Sequence, residues 1–328
     1  MNSSSTAKLT NTMKKNARLL LDISKKNISL AAFVFLFVLF SFTTSGRFFT
    51  GSNLLTVLGS SVELLVTALG ATFIGLMGSI DLSSGSMIAL TGVVAAKIFV
   101  ATNSIVLTLL GAIAVGILVY FVSVMAHTRL SVPTFICTLG MLSIARAIVT
   151  MISSGTITMI PYDSQFKQIF GLRPYNLIIA AALFVFCFIV ERYTLFGRYA
   201  RLIGGDENVA RLSGINVRRQ KVYVFLFAGV MTAIGGVLMA ARIGSGSPSI
   251  GDGYELNVIS AVVLGGTSQR GGFGGVRGTL IGALTLTMLA NGLVLLGMPS
   301  EIQLLIKGMV LILAVFVSQE RGGSEIVK

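Results

Sequence analysis

Side chains able to do chemistry stand at unusual places in this sequence, inside or between long apolar runs. The segment Met77 to Gly92 reads MGSIDLSSGSMIALTG and sets Asp81 between two such runs with no basic residue beside it. An ionisable side chain at the centre of a bilayer costs about 3 kcal/mol on insertion scales unless it is paired or watered. Asp81 is therefore either a site residue or the cap of the helix that follows. Ser83, Ser84 and Ser86 add hydroxyls, and Gly78 and Gly85 let another backbone come close. Other charges within apolar runs are Glu63, Lys97, Arg146 and Lys307. The two lysines have stems long enough to snorkel. Arg146 shares its run with Thr138, Ser143 and Thr150, so it either offers a cation and hydroxyls to a polar solute or pairs with Glu63 or Asp81. Asp81, Ser83, Ser86, Thr138, Arg146, Glu63 and Asn291 are the residues expected along a solute path.

A second constellation lies in GRYARLIGGDENVARLSGINVRRQK, Gly197 to Lys221. Asp206 suits an N-cap, Glu207 to Ser213 suit two helical turns, and Gly214 suits the left-handed residue that ends them. A merely solvated loop has no need of a capped helix carrying Val209, Ala210 and Leu212, so this helix is expected to dock a partner. A third, LGGTSQRGGFGGVRGTLIGAL from Leu264 to Leu284, fits neither phosphate-binding glycine pattern. Its small residues favour close helix packing over ligand contact. His127 is the single histidine, and no grouping has metal-ligand spacing or a catalytic nucleophile and base. No Walker lysine is present, so ATP and magnesium are expected on a partner chain and no cofactor on this one. Cys137 and Cys187 fall in apolar runs as packing residues.

The elements that must position these residues are membrane helices. Over 328 residues, 54% are hydrophobic and 11% charged, against about 25% charged in soluble domains. Runs of about twenty apolar residues are bilayer length, and without period-two alternation they fit helices rather than a barrel. Ten spans are expected: 28–44, 54–78, 85–101, 104–126, 132–151, 176–194, 222–241, 255–267, 279–296 and 303–319. The eighth is short, and the second runs into polar Ile80 to Ser86, so either is a candidate broken or re-entrant element. With both termini cytoplasmic, eighteen of the 25 bases fall on the inner side, four outside and three within spans, as the positive-inside rule requires. That scattering of the +13 net charge also argues against nucleic acid as a partner. The basic stretch 1–27 reads as a cytoplasmic tail rather than a signal peptide, and 320–328 as a second tail.

The chain resembles the bacterial ABC-importer permeases of the ribose, galactose, xylose and autoinducer-2 type. The resemblance rests on four blocks in order: GSIDLSSGS at 78–86, VPTFICTLGMLSIARA at 132–147, FGRYARLIGGDENVARLSGIN at 196–216 and VISAVVLGGTSQRGGFG at 258–274. It departs at Met77-Gly78-Ser79, where many relatives read Gly-Gly before the Ile-Asp-Leu-Ser, and at Gly205-Asp206, where Gly-Asn is common. The resemblance implies an all-α permease domain, 28–319, in the bacterial inner membrane. It implies a homodimer or heterodimer of permeases, a solute-binding protein, periplasmic or lipid-anchored, and a cytoplasmic ATPase, often with two domains in one chain. The coupling loop 195–221 is then expected to meet that ATPase through Gly205, Asp206, Glu207, Asn208, Ala210, Gly214, Ile215 and Asn216. A monosaccharide is the solute implied. A branched-chain amino-acid permease and an ion-coupled secondary transporter are the alternatives.

Overall fold

In a computed structural model that describes residues 28–323, the chain is a bundle of helices with one two-residue strand pair. The tail expected at 1–27 and the last residues of the tail expected at 320–328 lie outside the described residues. In chain order the helices are α1 (Ile28–Thr43), α2 (Gly51–Leu76), α3 (Ser84–Thr102), α4 (Ile105–Leu130), α5 (Thr134–Ser153), α6 (Tyr175–Tyr193), α7 (Leu195–Gly205), α8 (Glu207–Leu212), α9 (Val217–Ile243), α10 (Tyr254–Leu264), α11 (Val276–Leu295) and α12 (Ser300–Gly323). Strands β1 (Thr158–Met159) and β2 (Ser245–Gly246) pair antiparallel.

Each of the ten expected runs is helical, and seven helices are long and apolar enough to cross a membrane: α2, α3, α4, α5, α6, α9 and α11. At 1.5 Å per residue, α10 reaches about 17 Å, far short of the hydrocarbon thickness of about 30 Å. The expected weak eighth span is thus a half-length element. Two boundaries move. Helix α9 starts at Val217, five residues before the expected span, because the Asn216 side chain accepts from the Arg219 amide at 3.0 Å and caps it there. The inner loop holds two helices, not one, since residues 195–205 form α7 with an alternation of buried and exposed faces.

Packing sorts the spans into an inner group and an outer ring. Along α2, α3 and α9 most side chains are buried, whereas α4, α5 and α6 expose Leu118, Phe121, Leu139, Ile144, Ile178 and Phe186. Because lipid is as apolar as leucine, helices associate through close contact of small residues rather than by hiding apolar surface. Helix α9 packs on α2, α3 and α4. A Cβ added at its Gly229 would meet the Gly116 carbonyl of α4 at 2.8 Å, and one at Gly236 would meet the Ile88 carbonyl of α3, also at 2.8 Å. The glycine cluster 264–284 packs in the same way: Gly278 and Gly282 of α11 lie against Gly265 and Ala261 at the end of α10. The α9 seam, however, joins three other helices, α2, α3 and α4.

Substituting Gly236→Ala should therefore cost about 1–3 kcal/mol through overpacking. Gly140→Ala, where a Cβ meets nothing within 4 Å, should be neutral or stabilising by up to about 1 kcal/mol. Thermal unfolding in detergent followed by circular dichroism reads both, since the chain has no tryptophan. Equal midpoints for the two variants would contradict the seam.

Candidate functional site

Between α2 and α3 the chain leaves the helix at Leu76 and resumes it at Ser84. Several polar groups of this break are satisfied inside the protein. Asp81 Oδ1 accepts from the Ser83 amide at 2.8 Å and from the Ser83 hydroxyl at 2.6 Å, while Asp81 Oδ2 accepts from the Tyr120 hydroxyl of α4. Tyr120 also lies 3.2 Å from the Thr232 hydroxyl of α9. From α5, the Thr138 hydroxyl donates to the Ile80 carbonyl at 3.2 Å. The Gly272 amide donates to the Leu76 carbonyl at 3.0 Å, so the glycine-rich loop closes one end of the break. Gly78 has φ +71°, and the Arg270 carbonyl leaves no room there for a side chain.

Asp81 is thus neither the cap of α3 nor an unpaired charge, and its carboxylate holds an Asx-type turn. Ser84 and Ser86 follow in the first turn of α3, buried and with no hydrogen-bond partner on their hydroxyls. The cavity beside Asp81 measures about 30 Å³ and is lined also by Thr267, Ser268 and Gln269. That is room for about one water, so a sugar-sized solute does not fit beside Asp81 in this conformation.

The other expected path residues go elsewhere. Glu63, 2% exposed, pairs with Arg242 at the end of α9. Arg146 meets neither Glu63 nor Asp81: it pairs with Asp252 at 2.9 Å and donates to the Ile250 carbonyl at 3.2 Å and to that of Pro248. The Asn291 and Asn53 side-chain amides exchange two hydrogen bonds at 3.0 Å, joining α11 to α2. Asp81, Ser83 and Thr138 therefore come together, while Glu63, Arg146 and Asn291 tie separate joints. Sequence reasoning missed Tyr120, Thr232, Arg242 and Asp252. Only Tyr120 carried a signal, as a hydroxyl in the middle of an apolar run.

The expected capped helix is α8. Asp206 Oδ1 accepts from the Asn208 and Val209 amides at 2.8 and 3.0 Å. At the other end the Gly214 amide donates to the Arg211 carbonyl and the Ile215 amide to the Ala210 carbonyl, at 3.0 and 3.1 Å. With Gly214 at φ +83° this is the paired six-to-one and five-to-two closure of a Schellman motif. Glu207 meets Lys221 of α9 at 2.8 Å and Arg211 at 3.2 Å. Ala210 alone turns inward; Val209 and Leu212 face solvent, Leu212 at 89% exposed. Asn216 serves α9 rather than α8.

A protein family described as branched-chain amino acid transport system / permease component matches residues 53–315. The chain belongs to this family. The permease is 37% identical over 304 residues to the ribose import permease protein of Escherichia coli (strain K12), covering 89% of this chain and 93% of the relative. It is 34% identical to the L-arabinose ABC transporter permease protein of Azospirillum brasilense, over 88% of this chain and 86% of that one. It is 30% identical to the xylose transport system permease protein of Haemophilus influenzae, over 88% and 95%. No solved structure matches it. With its seven membrane-competent helices, the permease is a multi-pass membrane protein.

Two outcomes follow from the pairs. Removing one partner of a buried ion pair costs about 3–5 kcal/mol, because the other is left uncompensated. Arg242→Gln should approach that loss, because it strands a carboxylate only 2% exposed, and Glu63→Gln should fall short of it, because the arginine left behind is 37% exposed. The double variant should lose less than the sum of the two, and additive losses in detergent unfolding would show the pair to be idle. The Lys221 ammonium holds the Glu207 carboxyl below its ordinary value of 4.5, with Arg211 assisting. A folded value below the unfolded one gives stability that is full above pH 4.5 and is lost as pH falls through the folded value. Hydrogen-exchange protection of α8, taken relative to the intrinsic exchange rate at each pH, should therefore fall on acidification below pH 4.5 in the native chain and not in Glu207→Gln. The effect is modest, because half-exposed pairs are screened by solvent.

Proposed function

We propose that the chain is the permease subunit of a binding-protein-dependent ABC importer that carries a monosaccharide into the cytoplasm. The solute follows from the relatives, whose printed sugars, ribose, L-arabinose and xylose, are all pentoses. The mechanism rests on one observation: α8 is stapled at both ends and to α9, yet turns Val209 and Leu212 outward. A rigid helix with an apolar exposed edge is what a partner needs in order to push on the bundle. ATP and magnesium are bound by that partner, a cytoplasmic ATPase, and not by this chain. Closure of the ATPase shifts the bundle between outward- and inward-open forms to the extent that it binds them with different affinity.

In this reading the permease domain 28–319 is a ten-helix bundle in the bacterial inner membrane with both termini cytoplasmic, the half-length α10 sharing its crossing with the glycine-rich loop that follows it. Two copies, or one copy and a paralogue, enclose the path, and a periplasmic or lipid-anchored binding protein delivers the sugar. Asp81, Ser83 and Thr138 hold the broken segment beside that path, and Ser86 adds a hydroxyl in the helical turn after it. An ion-coupled transporter would need a carboxylate free to bind its ion. Glu63 and Asp81 are both engaged by protein donors, which favours the ATP-driven reading.

Sugar uptake into proteoliposomes should require the ATPase and internal or external ATP according to its orientation. Gly214→Val, which forces a β-branched residue to φ +83°, should destabilise the turn that ends α8 by about 1 kcal/mol or more and so weaken ATPase pull-down while leaving membrane insertion intact. Accumulation without the ATPase, or unchanged pull-down by the variant, sinks the proposal.

A further inference from the structure

At the end of the bundle that carries α7 and α8, a cavity of about 860 Å³ opens between the last turn of α6, the length of α7 and the start of α11. Four arginines line it, Arg192, Arg198, Arg201 and Arg277, against a single carboxylate, Glu191. That carboxylate is already committed. One Glu191 oxygen pairs with Arg201, and the other accepts from the Val276 amide at 2.8 Å, capping the uncapped start of α11. Glu191 is 11% exposed, so it serves the wall rather than the space. Among the described residues, Arg192 and Arg198 make no ion pair or side-chain hydrogen bond, and Arg277 lies over the Phe188 ring at 4.5 Å. Three guanidinium groups thus border one cavity without an anion to meet.

The surroundings of the cavity are apolar in a directed way. Helix α6 leads up to it with Phe186 and Ile189 exposed, and Tyr193 is exposed at its rim. Along α7, Leu195, Arg198 and Leu202 recur at positions i, i+3 and i+7, hence on one face, and all three are exposed. A free anion would use only the guanidinium groups of such a surface. A molecule with an anionic head and a hydrocarbon body would use both, with the chains along α6 and the phosphate among the arginines. Basic pockets between membrane helices take lipid headgroups in this way, and an amphipathic helix at the interface adds its apolar face.

We propose that this cavity is a binding site for an anionic phospholipid headgroup, held by Arg192, Arg198 and Arg277. The inference does not depend on which solute the permease carries. Arg201 belongs to the wall, through Glu191 and through the Gly274 carbonyl, to which it donates at 3.0 Å.

The test is native mass spectrometry of the full chain in detergent, titrated with phosphatidylglycerol or with phosphatidylcholine of the same acyl chains. The chain should retain phosphatidylglycerol on the order of tenfold better, and Arg192→Gln/Arg198→Gln should lose most of that preference. Arg129→Gln, in the last turn of α4, should keep it. Size-exclusion profiles of the variants check folding, and Arg198→Lys, which keeps the charge, should retain more of the preference than Arg198→Gln. The preference should also fall as salt rises from about 0.15 to 1 M. Equal retention of the two lipids, or a double variant that behaves like the native chain, overturns the proposal. So does displacement of the lipid by millimolar inorganic phosphate or glycerol phosphate, which would make the site one for a free anion. A double variant that loses ATPase pull-down but not lipid preference overturns it too, and assigns the arginines to the protein partner.

Discussion

Backbone that leaves the helix inside a packed bundle has no water to bond to, and much of this bundle is arranged to answer that need between Leu76 and Ser84. Asp81 supplies the acceptor around which the break turns, Tyr120 and Ser83 supply donors to it, and Thr138 and the Gly272 amide close the open carbonyls. Those partners come from α4, α5 and the glycine-rich loop, and Thr232 of α9 backs Tyr120. The break therefore fixes four other parts of the chain at once. Its tight cover also explains why the glycine loop carries so many residues with positive φ near Gly204 and Gly78.

What could be read from the sequence follows from which forces act locally. The caps of α8 are local, and Asp206 and Gly214 announce them by type and spacing. The apolar runs announce helices for the same reason, although the exact start of α9 depended on recognising Asn216 as its cap. Partners across the bundle are not local. Arg146 carried no mark that its counterion would be Asp252 rather than Glu63, because both are acids distant in sequence and only the turn at residues 247–253 brings one to it. Likewise Asn53 and Asn291, separated by 238 positions, carry no pairwise signal in one sequence. The glycines of α9 were overlooked for a simpler reason: they are spread through an apolar run, whereas those at 264–284 are crowded and visible.

Charge is used sparingly and in two ways. Within the bundle, Glu63 with Arg242 and Arg146 with Asp252 join helix ends to neighbouring elements. At the end bearing α7 and α8, Glu191 and Glu207 fasten connecting segments to α11 and α9, and leave a surplus of arginine facing outward. The first kind fixes the bundle's shape, and the second gathers positive charge, unpaired among the described residues, at one end of it.

The place of α9 in the chain has a consequence for biogenesis. Helices α2, α3 and α4 all leave the ribosome well before the residues from Val217 to Ile243 that pack against them. The early helices must wait in the bilayer with their small-residue grooves empty. Glu63 waits until nearly all of α9 has been made, because its guanidinium partner lies at the far end of that helix. Assembly of the inner group is thus a late event governed by chain order, and until α9 is in place Glu63 is a carboxylate without its counterion.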